Sequence, residues 1–392
     1  MASNKTASAY IIAAKRTALG RVGGLHKSRR VEDLAAPVIL AACDEAGIGL
    51  QAVEEIIVGN ATAGGNPARV IALASGLAET INATTIDQQD ASGLVAIIQA
   101  ARLVDQGEAD VVVAGGVESL STAPWRIARP RSVHQTPHFI SPEPFSNNET
   151  HCPIPIEGTE RLARELEISR AHQDAFAALS IDRAINARKS KRFVDEIVPL
   201  RSRLEEGRDQ TTSEYDFDEI AGEIPFLEDD GTLTPANTSI WHDGAAFVVV
   251  VSESKWNEFD RPPALKLVAN AALGVAPDGE AGAPIAAVQK LYNRLNGFDR
   301  SGIGIVEISE TSAVQAVAVA QALGFDEAKV NPEGGAIARG HPFAAAGAIL
   351  VVRLFSQMLR GDRENAPAYG LATQGAVGGL GVAALFSASQ PH

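Results

Sequence analysis

Near-continuous apolar runs and stretches with helical spacing alternate along most of this chain. Ala9 to Ala14 reads as a strand, and Val31 to about Gly47 as an amphipathic helix that stops on a glycine. Glu55 to Gly59 reads as a second strand. Ser92 to Gly107 has helical periodicity and feeds Ala109 to Ala114, whose unbroken apolar character predicts a strand covered on both faces in a parallel sheet. After Gly116 the texture changes. Pro124 to Pro155 is rich in Pro, His, Ser and Asn, Thr159 to Arg192 is charged and helical, and Glu205 to Asp230 is acidic and aperiodic. The alternating texture resumes with a strand at Ala245 to Ser252 and continues to the C-terminus. These shifts predict an α/β protein with an N-terminal half at 1–118 plus 245–262, an inserted domain at 119–244, and a C-terminal half at 263–392.

The last third echoes the first. An apolar helix at Ala344 to Leu359, a strand at Ala368 to Thr373 and a glycine-rich segment repeat the order of Asp90, its helix, its strand and Gly115-Gly116. Two such units packed about a pseudo-twofold axis bring helix N-termini together, where developing negative charge is stabilised. All α/β proteins alternate strand and helix, so the echo carries little weight alone.

Composition narrows the function classes. A chain of 392 residues is too long for one small domain, and 45% hydrophobic with 21% charged residues fits a folded globular protein. The excess of 48 acidic over 34 basic residues gives a formal charge of −14, which repels phosphate backbones and anionic lipid alike. Neither nucleic acid nor membrane is expected as a partner. No apolar window of about eighteen residues and no leader-like start are evident, so the expected location is cytoplasmic. Cys43 falls in an apolar helical run and Cys152 in a polar loop beside His151, which gives neither a disulfide framework nor metal-ligand spacing. No metal site is expected. Sequence neighbours such as His151 and Cys152 rarely form a catalytic pair, since such pairs are assembled from separate elements.

The glycine-rich segments carry more chemistry. Asn331 to Pro342 gathers glycines and prolines around His341 at the mouth of a helix, which presents the imidazole instead of burying it in passing. Gly375 to Gly381 permits the close approach of another backbone and lacks the context of a dinucleotide fold.

With these segments the chain resembles the thiolase family. Gly334-Gly-Ala-Ile-Ala-Arg-Gly-His-Pro resembles the family's GGAIALGHP signature, and Gly115-Gly-Val-Glu-Ser-Leu-Ser-Thr-Ala-Pro its GGMESMSNAP. Asn66-Pro67-Ala68-Arg69 matches most of a QNPAR turn. Ile168-Ser-Arg with Gln173-Asp174, Asp195 to Pro199, Thr234 to Ser239 with Asp243 to Ala246, and Glu307 to Ala313 follow in the family's order. The resemblance implies duplicated βαβαβαββ halves in a five-layered α/β/α/β/α body with an inserted loop domain. It also implies a homodimer or homotetramer, paired near Asn66 to Ala72. Thiolases cleave 3-oxoacyl-CoA with CoA, or run the reverse condensation. One cysteine takes the acyl group, the GHP histidine activates it, and a second cysteine moves the α-proton.

This sequence departs from that pattern where the chemistry lies. The nucleophile's C-[GS]-S-G-L motif reads Asp90-Ala-Ser-Gly-Leu94, and the second cysteine aligns with Gly375, beside Gln374. In the NEAFA motif the oxyanion-hole asparagine becomes Ser309 and the phenylalanine becomes Ser312. His341 and Glu310 are retained. The resemblance therefore places His341, Asp90 and Ser309 in the catalytic centre, with Gly375, Val377, Gly378, Glu280 and Ser312 lining the substrate pocket. Glu280 falls near a usual methionine and does not suit a plain fatty chain. Arg201, Arg203 and Arg208 are the nearby cations for a CoA phosphate. No cofactor is expected beyond CoA as a substrate or ligand. Asp90 reads as the N-cap of a helix starting at Ala91, worth about 0.5–2 kcal/mol over alanine, or as a carboxylate facing His341 that acts as base or orients the histidine; a third role, covalent acyl nucleophile, is less favoured because it would form a reactive anhydride. The expectation is an enzyme that cleaves or hydrolyses a β-dicarbonyl or acyl thioester without a cysteine. The alternative is a non-catalytic acyl-CoA-binding protein or partner subunit.

Overall fold

The computed structural model describes residues 8–140, 155–200, 208–210, 217–228, 230–361 and 366–389. His151, Cys152, Arg201 and Arg203 lie outside them. Five strands belong to the first part of the chain: β1 (Ala9–Thr17), β2 (Glu55–Gly59), β3 (Asn82–Ile86), β4 (Val111–Glu118) and β5 (His242–Ser252). Four follow: β6 (Ala264–Gly274), β7 (Ile303–Ile308), β8 (Tyr369–Ala376) and β9 (Leu380–Ser389). Their order across the sheet is β7-β8-β9-β6-β1-β5-β4-β2-β3.

The two halves meet where β1 and β6 pair antiparallel through Tyr10 with Lys266 and Ile11 with Leu265. Outward from that seam the pairing is the same on both sides. β1–β5 and β6–β9 are antiparallel, as are β5–β4 and β9–β8, and the outer pairs β4–β2 and β8–β7 are parallel. The duplication is thus a property of the hydrogen-bond ladder. The counterpart of β3 is reduced to the single bridge between Val306 and Val330.

Alternation along the strands divides the core into layers, because successive side chains leave opposite faces. In β5, Ala246, Val248 and Val250 face a middle layer shared by helices α3 (Ser92–Gln106) and α8 (Ala346–Phe355). Ala245, Phe247, Val249 and Val251 face an outer layer with α1 (Val31–Glu45) and α2 (Pro67–Ala74). A third cluster holds α6 (Ala283–Arg294) and α7 (Ala313–Leu323) against the other side of the second half. The result is the five-layered thiolase fold, α/β/α/β/α. Each fully buried valine of these strands contributes about 1.5–3 kcal/mol, which is why β4 and β5 read as unbroken apolar runs.

The middle layer corrects one expectation. Phe343 to Arg360 forms an 18-residue helical stretch of mean hydropathy 1.4, long and apolar enough to cross a membrane, but 83% of it is buried inside the fold. It is apolar all round because it is sandwiched between sheets. Its N-terminal turn approaches that of α3 through glycines: a Cβ on Gly93 would lie 2.7 Å from the Ala344 carbonyl, and one on Gly347 would lie 2.8 Å from the Leu94 nitrogen. Strand β4 also differs from its expected bounds. Ala109 and Asp110 precede it, and it runs on to Glu118, since Gly115 and Gly116 lie flat against β5. The charged inserted region forms two helices, α4 (Pro155–Glu165) and α5 (Arg170–Lys189), with Ser169 capping the second by accepting from the His172 N–H at 3.2 Å.

Candidate active site

Asp90 sits in the turn between β3 and α3. The turn is tight. Gln89 adopts a positive φ of 53°, the Ser92 hydroxyl accepts from the Gln88 N–H at 2.8 Å, and the same hydroxyl donates to the Gln89 carbonyl at 2.6 Å. Helix α3 opens at Ser92 with Ala91 at its N-cap and no side-chain cap. The N-cap reading of Asp90 is therefore corrected. With Ser92 closing the turn, the Asp90 side chain points out of the helix and into the space between the halves.

There it meets His341. The imidazole Nε2 lies 2.7 Å from Asp90 Oδ1, and the two residues are only 1% and 2% exposed. Asp90 Oδ2 accepts the Val377 N–H at 3.2 Å, from the turn between β8 and β9. The Gln374 side-chain amide donates to the Asp90 carbonyl at 2.7 Å. Both halves of the fold thus hold this one residue.

His341 is fixed through its backbone. Its N–H donates to the Ile240 carbonyl, and its carbonyl accepts from the His242 N–H, each at 2.9 Å. Just before it, Gly340 has φ 104° and packs under the His242 ring, where a Cβ would come within 2.3 Å of ring atoms. No other residue fits there. Burial holds the His242 pKa below the usual histidine value, and the ring nitrogens face the Ile240 carbonyl at 2.8 Å and the Gln210 carbonyl at 3.3 Å. Upstream, Glu310 ties the loop to the inserted region, accepting from Ser180 at 2.9 Å, from Asn331 at 3.0 Å and from the Ile337 N–H at 2.9 Å. In the tautomer of a neutral imidazole that donates from Nε2 to Asp90, Nδ1 carries the lone pair. Nδ1 is buried, with no hydrogen-bond partner among the described residues.

The second aligned cysteine position is closed. A Cβ on Gly375 would lie 2.2 Å from the Glu280 carbonyl oxygen, one on Gly379 would lie 2.1 Å from that of Ala276, and one on Gly381 would lie 2.4 Å from that of Ala283. The backbone that approaches this glycine cluster is therefore the turn joining β6 to α6. That turn delivers Glu280 to the site. The residue is 7% exposed, and burial together with the nearby Asp90 charge pushes its pKa up to about 8.

The remaining expected residues divide. Gly378, with φ 89°, shapes the β8–β9 turn that presents Val377. Ser309 ends beside the site, but its hydroxyl donates to Gln315 Oε1 at 2.8 Å and makes no bond to Asp90 or His341 among the described residues. It lines a small recess of about 20 Å3 with Gly340 and Pro342, room for about one water. Ser312 caps α7, its hydroxyl accepting the Gln315 N–H at 3.2 Å. Sequence reasoning missed Gln374 and His242 as supports. Their signal was adjacency alone: Gln374 stands next to Gly375, and His242 next to the Asp243-Gly-Ala-Ala match.

The bonded Asp90 carboxyl and His341 imidazole lie where the duplicated halves of a thiolase body meet. The chain belongs to the thiolase family: the thiolase N-terminal domain matches residues 9–254 and the thiolase C-terminal domain residues 262–388. It is 37% identical over 380 residues to VraB of Staphylococcus epidermidis, provisionally named an acetyl-CoA C-acetyltransferase, covering 96% of this chain and 97% of that one. VraB of Staphylococcus aureus, under the same provisional name, is 34% identical over 383 residues, covering 97% and 99%. The crystal structure of the Bacillus anthracis acetyl-CoA acetyltransferase superposes with a TM-score of 0.91 at 31% identity, covering 99% of this chain and all of that one.

Proposed function

We propose that this protein cleaves or hydrolyses a β-dicarbonyl compound or 3-oxoacyl thioester without a cysteine, using Asp90 and His341 on water. The observation that carries the proposal is the 2.7 Å bond between His341 Nε2 and Asp90 Oδ1, two buried side chains from opposite halves of the fold. A carboxylate so placed orients the imidazole and stabilises its charged form, as acid–base pairs do in hydrolases. Water adds to the ketone carbonyl and gives its proton to the pair; the C–C bond then breaks and its electrons pass to the α-carbon. Both oxygens of Asp90 already accept hydrogen bonds, which suits a base or orienting group better than a covalent nucleophile. The names of the relatives favour an acyl-CoA among the substrates.

The purified protein should be given β-diketones and 3-oxoacyl-CoA esters in heavy-oxygen water, with and without CoA, and the products read by mass spectrometry. Label in the carboxylate product and no CoA-dependent cleavage of acetoacetyl-CoA are expected. Robust CoA-dependent turnover would overturn the proposal. Burial pushes the Cys43 thiol up to about 11, far from nucleophilic strength at neutral pH. A Cys43→Ser, Cys152→Ser double variant should keep its activity. Loss of activity in that variant would return the nucleophile to a thiol.

A second reading is a non-catalytic acyl-CoA-binding subunit. It is favoured by the engagement of Ser309 and Ser312 in bonds that only hold the fold. Acyl-CoA binding by calorimetry, with no product across the panel, would select it.

Assembly follows from the sheet edge. Strand β3 ends the sheet, and α2 beside it exposes Val70 at 48% and Leu73 at 47%. An uncovered edge of this kind invites pairing with a second copy, so a homodimer or dimer of dimers is expected in light scattering. A monomer at micromolar concentration would contradict it.

A further inference from the structure

We propose that Glu280 is a second catalytic group of this site, the acid that delivers a proton to the α-carbon of the fragment released when the C–C bond breaks. The inference rests on the cleavage reading above and assigns the step that the reading leaves without a donor. A thiol at residue 375 is sterically excluded by the Glu280 carbonyl, so the group that moves the α-proton must come from elsewhere.

The placement of Glu280 is built. Its turn lies backbone against backbone on Gly375, Gly379 and Gly381, and the Val275 N–H donates to the Gly379 carbonyl at 2.7 Å. From the other side α4 pins the same turn: Arg161 pairs with Asp278 at 2.7 Å, and Gly158 packs against the Asp278 carbonyl, where a Cβ would lie only 1.8 Å away. Glu280 as a residue is more than nine-tenths buried. Among the described residues its carboxyl takes part in no hydrogen bond or ion pair, and the charge that acts on it is that of Asp90. A buried carboxyl without a partner is expensive unless it stays protonated or has a ligand to meet. Asp90 has two donors and Glu280 has none, so the negative charge rests on Asp90 and the proton on Glu280.

The proton count closes. Water adds its oxygen to the ketone carbon and gives one proton to the Asp90–His341 pair. The bond between that carbon and the α-carbon breaks, and its electron pair is left on the α-carbon as an enolate. Glu280 gives that carbon its proton and becomes a carboxylate. The proton held by the pair then restores Glu280 through its neighbour Asp90. The products are a carboxylic acid and a methyl ketone or acetyl thioester, and no oxidant or reductant is consumed.

The reverse of the protonation step can be read without cleavage. Wild-type protein incubated in heavy water with acetyl-CoA, or with acetone, should wash deuterium into the methyl group, followed by mass spectrometry. E280Q should lower that exchange by about 10²-fold or more, and E280D should recover part of it. Circular dichroism is used to confirm that each variant is folded; if the glutamine variant fails to fold, E280D decides, with exchange below wild type expected. Exchange unchanged in the variants, or no exchange on either probe by the wild type, would overturn the assignment. Glu280-dependent exchange without hydrolysis of any β-dicarbonyl would keep Glu280 as the proton-transfer group and sink the cleavage reading alone.

Discussion

Asp90→Asn is expected to lower turnover of a β-dicarbonyl substrate by about 10³–10⁴-fold, an effect of the size seen when an orienting carboxylate is made an amide. The substitution is nearly isosteric, and the Val377 N–H would keep an acceptor if the new amide oxygen faced it. The amide nitrogen would then face His341 Nε2 and donate to it, which forces the proton onto Nδ1 and removes the base. His341→Ala should cost about as much, and the double variant should lose little more, because groups acting as one unit are not additive. The measurement is kcat/KM by product formation, with melting temperature as the control. Both side chains are buried, so a variant that also melts much earlier would be read from the surviving folded fraction. Full activity in the asparagine variant would remove Asp90 from the mechanism.

The frame of this site was legible in the sequence and its wiring was not. Glu55 to Gly59 could be bounded to the residue because a short β-branched run ends on glycine, whereas for β4 and β5 the apolar run located the strand and missed the polar residues at its ends, Glu118 in one and His242 and Asp243 in the other. His341 stood out by its glycine and proline setting. The cap assignment of Asp90 failed because propensity sees only the local turn, whereas Ser92 had taken over the closing bonds and His341 lay 251 residues away. Ser312 shows the opposite case: a residue singled out by alignment also has a local task, as the cap of α7. Glu280 was visible as an odd carboxyl near an acyl pocket. Its approach to Gly375 was not, because a glycine cluster announces that a backbone comes close without saying which one.

Glu280→Gln should raise stability at mildly alkaline pH by about 3–5 kcal/mol relative to its effect at pH 4. The unfolded chain releases the Glu280 proton near the ordinary value of 4.5, while the folded chain holds it up to about 8. Between these values the folded state binds one more proton than the unfolded state, so this group makes stability fall as pH rises across the window. Below it the penalty is absent, and above it the penalty is constant. Glu118 adds a contribution of the same sign, since burial raises its pKa to about 7, although Asn60, Thr62 and the Ala61 N–H partly offset the shift. Glu196 acts oppositely. Despite the opposing effect of burial, Arg353 and Arg16 bring its pKa down to about 2, so its contribution is lost as pH falls from 4.5 toward 2. The difference between wild type and the glutamine variant cancels both, because neither group faces Glu280. Urea midpoints of the two proteins, measured from pH 4 to 9, should therefore diverge across the 4.5 to 8 window and then run parallel. Parallel curves throughout would mean that Glu280 ionises normally in the folded protein and cannot serve as the proton donor at neutral pH.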